Sequence, residues 1–85
     1  MSIHLIQRRK GYGPAIAAAQ PGDAIVLLGE GVAAVLDGAS NCFAAAGDLH
    51  ARGLNERADK DVARISDAEL VELCCQHAPC VTWTG

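Results

Sequence analysis

The segment Ala24-Ile-Val-Leu-Leu-Gly29 constrains this chain more than any other. It is a continuous apolar run with Pro21-Gly22-Asp23 before it and glycine after it. A strand that alternated apolar and polar residues would face water on one side. An unbroken run belongs to a strand covered on both faces, the central position of a parallel sheet with helices above and below. Parallel neighbours need crossover connections, so the rest of the chain must supply helices between strands.

It does so in order. Residues 2–7 place Ile3 and Leu5 between polar neighbours and read as a first strand. The Arg8-Arg9-Lys10-Gly11-Tyr12-Gly13 stretch is a loop, and Pro14 opens a short helix over 14–20, because proline suits the unpaired first turn. Residues 32–37 form a second helix stopped by Gly38, and 42–46 a third strand. Residues 47–54 read as a turn with one helical turn at most, the charged stretch 55–62 as an exposed loop and 62–65 as a fourth strand. Ser66-Asp67-Ala68-Glu69 is a capping box. The helix it opens runs to Ala78, with Leu70, Val71, Leu73, Cys74 and Ala78 on one face. Pro79 ends it and residues 80–84 make the last strand. The expected fold is a small three-layer α/β/α domain, residues 1–85 as one unit, around a mostly parallel sheet of about five strands.

At 85 residues, such a chain buries only ~60–65% of its unfolded surface. Its apolar residues are mainly Ala, Val, Leu and Ile, with one Trp, one Tyr and one Phe. A core that thin favours burial against other subunits, as a homo-oligomer if isolated. No apolar run approaches the ~20 residues of a membrane span. The charges at the N-terminus follow the first apolar stretch, the reverse of a signal peptide, so a cytoplasmic location is expected. The net charge of −3 argues against direct nucleic-acid binding.

Several chemistry-bearing residues have two readings. Gly11-Tyr-Gly13 with Glu30 suggests a dinucleotide fingerprint, but Ile16 occupies the place of the third glycine. Cys75, His77 and Cys80 could ligate a metal, yet their spacing is loose for zinc, and no metal or cofactor is expected. A disulfide framework is not expected in a reducing compartment. Cys42 and Cys74 fall on apolar faces and read as small hydrophobes, Cys80 follows a helix C-terminus that discourages ionisation, and a structural role is the reading taken for all four cysteines, Cys75 included. His4 and His50 have no assignable nucleophile beside them, so no catalytic residue is named. Arg8, Arg9 and Lys10 are the only basic cluster and read as a solvated loop.

Three stretches together resemble the TusB/DsrH family of small sulfur-relay proteins. They are residues 21–38 (a Gly-Asp pair, apolar strand, acidic-Gly turn and Ala-rich helix), the Asp48-Leu-His-Ala-Arg-Gly-Leu54 run, and residues 65–83 (a capped last helix and a Trp-bearing last strand). The resemblance implies a DsrE-like fold and a place beside two related small α/β sister subunits in a hetero-oligomer that passes persulfide sulfur. One branch of the family serves 2-thiouridine at the tRNA wobble position, the other sulfur oxidation. Some members, above all in the oxidation branch, carry a cysteine in the first helix, where this chain has Ala15-Ile16-Ala17. The segment between Gly38 and Cys42 is also shorter than is usual in the family, which implies a trimmed second helix. The expected role is therefore an accessory, non-catalytic subunit, with Asp48, Leu49 and Arg52 shaping a subunit contact. The alternatives are a thiol enzyme carrying persulfide on Cys75 or Cys80, a stand-alone homo-oligomeric domain and a relay subunit of the sulfur-oxidation branch.

Overall fold

Strand β2 (Ala24–Leu27) is buried along its whole length, as its unbroken apolar run requires. The computed structural model describes residues 2–76 and 79–83, so the expected helical positions His77 and Ala78 and the strand residue Thr84 lie outside the described residues. Around β2 stand β1 (Ile3–Ile6), β3 (Cys42–Ala45), β4 (Val62–Ile65) and β5 (Cys80–Trp83). The sheet has five strands in the order β4-β3-β2-β1-β5, and every pairing is parallel. This is the expected α/β class and strand count.

The chain steps from β1 to β2, β3 and β4 in one direction, then jumps back past β1 to lay down β5. Right-handed crossovers put the first three connections on one face and the fourth on the other. The first face carries α1 (Tyr12–Ala18), a 3-10 helix (Gly29–Asp37) and α2 (Ala46–Ala51). They bury Ala15, Val32, Ala34, Val35 and Leu49 against Ile6, Ile25, Leu27 and Ala44. Among the described residues the opposite face has only α3 (Asp67–Gln76), which sets Leu70, Leu73 and Cys74 over Ile3, Ala24, Val26 and Ile65.

Four local expectations need correction. Helix α1 starts at Tyr12, so Pro14 is its third residue and not its first. The first four helical N–H groups have no intrahelical partner, so a proline is harmless anywhere in that turn. The second helix starts before residue 32: it begins at Gly29 and runs nine residues as a 3-10 helix. A 3-10 helix rises ~2.0 Å per residue against ~1.5 Å for an α-helix, so a short connection can still return to the start of β3. Segment 47–54 holds more than one turn, since α2 has six residues. Val71 does not join the buried face of α3: it is 61% exposed. Among the described residues the narrow stripe through Leu70, Leu73 and Cys74 meets the sheet.

The capping box forms as the sequence requires. Ser66 N–H donates to Glu69 Oε1 at 2.9 Å, and Glu69 N–H donates to Ser66 Oγ at 3.2 Å.

Candidate functional site

The Asp48–Leu54 run is a helix and its C-terminal cap. Gly53 has φ +67°, a left-handed conformation that costs glycine nothing. Its N–H donates to the His50 carbonyl at 3.1 Å, and the Leu54 N–H reaches the Leu49 carbonyl at 2.8 Å. These are the two bonds of a Schellman cap, and Leu49 and Leu54 supply the apolar contact that accompanies it. Asp48 works in the other direction: its Oδ2 accepts from the Gly29 N–H at 2.9 Å, tying α2 to the turn after β2. Leu49 is fully buried. Arg52 is exposed, and its guanidinium has no hydrogen-bond partner among the described residues. Asp48 and Leu49 thus fix the segment from below, and Arg52 is the group it offers to solvent.

The four thiols fall in different environments. Cys42 lies in the core, and burial pushes its thiol up to about 11. Cys74 is half-buried under α3, while Cys75 and Cys80 are exposed. Burial, and then the neighbouring Cys80 thiol, raise the Cys74 thiol above its ordinary range, and Cys74 packs on the apolar cluster under α3 as its helical face suggested. Of the residues considered for zinc, His77 lies outside those described. No group of three or more His, Cys, Asp or Glu is gathered as for a metal ion among the described residues.

One polar network was not foreseen. His4 is 5% exposed in the middle of the sheet. Trp83 Nε1–H donates to His4 Nδ1 at 3.0 Å. An indole nitrogen is a donor only, so His4 Nδ1 must present its lone pair and the ring proton sits on Nε2. That Nε2–H donates to Asp23 Oδ2 at 3.0 Å. Asp23 also accepts from the backbone N–H groups of Ser2 and Gln20, each at 2.9 Å. These bonds, Ser2 first, then Gln20 and His4, hold the Asp23 carboxyl down at about 2. Both ring nitrogens of His4 are occupied, so the histidine ties β1 to the turn before β2 and to edge strand β5. The available signal was a polar residue at an inward position of an apolar strand.

The basic cluster is largely neutralised where it stands. Arg9 makes a two-pronged contact with Asp37, with Nε to Oδ2 at 2.6 Å, and Arg8 lies 3.6 Å from Glu30. Glu30, the acid weighed for a ribose contact, is thus beside an arginine. Gly11 packs against Trp83, where a Cβ would meet the Trp83 Cβ at 3.1 Å. That glycine serves packing between α1 and β5.

Fold and side chains together define a small α/β protein on an all-parallel five-stranded sheet, with two of its four cysteines exposed. Against models of protein families, residues 12–79 match the family described as DsrH like protein. The chain belongs to that DsrH-like family and is, in general terms, a subunit of a sulfur relay. No curated protein matches it. No helix among the described residues is long and apolar enough to cross a membrane.

Proposed function

We propose that this chain is an accessory, non-catalytic subunit of a cytoplasmic sulfurtransferase relay serving 2-thiouridine formation at the tRNA wobble position. The observation that carries the choice of branch is the first helix. Members with a thiol there belong above all to the oxidation branch, and here α1 presents Ala15 to the core and Ile16 and Ala17 to solvent. Deleting the gene should abolish 2-thiouridine in tRNA, measured by nucleoside mass spectrometry. Complementation with Cys75→Ala or Cys80→Ala should restore it. Unchanged 2-thiouridine in the deletion strain would reject the tRNA branch. Failure of either cysteine variant, with persulfide found on that residue in the parent, would make this chain a thiol enzyme.

Two related small α/β sister subunits complete the assembly in this reading. Among the described residues a single helix covers one sheet face and leaves Phe43 partly uncovered, with two grooves that both reach Phe43 and Leu73. Ile16, Leu36, Val71 and Val81 are 38–61% exposed. The groove at Phe43 and Leu73, on a chain of only 85 residues, is the apolar surface that favours a partner. Arg52 stands at one such contact, because its support by Asp48 and Leu49 leaves the guanidinium free to meet a partner's carboxylate. Arg52→Ala should lower co-purification of the sister subunits at least tenfold while moving the melting temperature of the chain by less than about 4 °C. Equal losses of both would make Arg52 a purely structural residue.

A further inference from the structure

Cys74, Cys75 and Cys80 are close in sequence, but the fold pairs two of them and leaves the third aside. Strand β5 lies beside β1 with Cys80 in register with Ile3. Laterally paired residues project to the same face of a sheet, so Cys80 points to the side that Ile3 occupies. Ile3 belongs to the cluster on which Cys74 packs from α3. The register of one edge strand and the packing of one helix therefore deliver two thiols to the same strip of sheet. There the Cys80 thiol is near enough to act on the Cys74 thiol. Cys75 is turned ~100° away around the helix and is exposed. The pair is asymmetric: Cys80 is exposed and Cys74 half-buried. Burial, and then the nearby Cys80 thiol, raise the Cys74 thiol above its ordinary range. An accessible sulfur that meets a reagent, backed by a sheltered sulfur that closes the bond, is the arrangement thiol–disulfide exchange requires.

We propose that Cys74 and Cys80 form a reversible dithiol–disulfide site that exchanges with the disulfide of a small thiol. With glutathione disulfide as oxidant, the Cys80 thiolate attacks one sulfur, makes a mixed disulfide and releases one glutathione thiolate. The Cys74 thiolate then attacks the Cys80 sulfur, forms the intrachain bond and expels the second glutathione. The two protons lost by the cysteines end on the two glutathiones. The cysteine pair gives up two electrons, and glutathione disulfide takes up the same two. The product clamps the last turn of α3 to edge strand β5, and a small thiol in excess reverses it. This chemistry does not depend on the relay reading.

The test uses the full reduced chain, incubated with glutathione disulfide, quenched by alkylation and weighed intact. The parent and Cys75→Ala should each lose two hydrogens and retain no glutathione. Cys74→Ala, which removes the sheltered thiol, should instead hold one glutathione on Cys80, located by fragmentation. Cys75→Ala decides the matter even if Cys74→Ala does not fold. A lasting glutathione adduct on Cys80 in Cys75→Ala would overturn the proposal. So would a bond between two chains, or no bond at all.

Discussion

The Gly31→Ala variant is expected to lose most of its folded population. Gly31 crosses the end of β1 so closely that a Cβ would fall on the Ile6 carbonyl oxygen and lie 2.7 Å from its carbon. Neither atom can give way, because both are backbone. The same carbonyl accepts the Leu28 N–H at 2.9 Å, and Gly31 N–H donates to the Leu28 carbonyl at 2.7 Å. Relieving the clash must therefore disturb the β1–β2 pairing and the start of the 3-10 helix together. A total stability of ~0.05–0.15 kcal/mol per residue over 85 residues leaves little to lose. The expected cost, above about 4 kcal/mol, consumes most of it. Gly47→Ala makes a useful contrast. Gly47 lies in α2 with nothing within 4 Å of its added Cβ, so alanine there should gain ~0.5–1 kcal/mol. Circular dichroism melts of the two variants check both signs. A Gly31→Ala melting temperature within about 4 °C of the parent would show that the crossing is looser than described.

Gly31 also marks the limit of what could be read from the letters. Strands β2, β3 and β5 were legible because apolar runs with glycine, proline or asparagine near their ends say the same thing locally and globally, while β1 and β4 were read from short apolar-rich segments alone. The capping box at Ser66 and Glu69 was legible because both partners lie within one turn. A 3-10 helix was not, since six apolar-rich residues cannot separate a period of 3.0 from 3.6. What selects it is the approach of Gly31 to Ile6, a contact 25 residues away along the chain. Val71 was assigned to the buried stripe because a helical wheel gives directions and not distances. Among the described residues one helix lying on a twisted sheet touches it along Leu70, Leu73 and Cys74.

The same division runs through the candidate site. The role of Asp48-Leu-His-Ala-Arg-Gly-Leu54 as a fixed turn was visible in its residues, since Asp, Gly and two leucines at that spacing suit a capped helix end. That Asp48 would hold Gly29 was not, because the bond spans 19 residues. Cys74 and Cys80 meet only once β5 has taken its register on β1. His4 depends on one partner 19 residues away and another 79 residues away. Contacts of that separation are set by topology, and a single sequence carries no local trace of them.

The His4 network carries the second large effect. Replacing His4 by phenylalanine preserves apolar volume but strips the Trp83 indole N–H of its acceptor and Asp23 of one donor. A buried polar group left without a partner costs ~1–3 kcal/mol, so His4→Phe should lower stability by about 2–4 kcal/mol once imperfect packing is added. Trp83→Phe removes the donor itself and should cost less. In His4→Phe/Trp83→Phe the two losses should add to less than their sum, because the bond they share can be lost only once. The chain has a single tryptophan, so its emission reports on this bond directly and should shift in His4→Phe before any unfolding. Acid tests the far end of the network. The Asp23 carboxyl is held at about 2, below its ordinary 3.8. A group depressed on folding stabilises the native state fully above its unfolded value and stops doing so as the pH falls through its folded one. The parent should therefore lose stability between pH 4 and 2, and Asp23→Asn, less stable at neutral pH, should show a shallower fall over that window. Identical acid profiles for the two proteins would remove Asp23 from the network's energetics, and additive losses in the double variant would remove the His4–Trp83 bond.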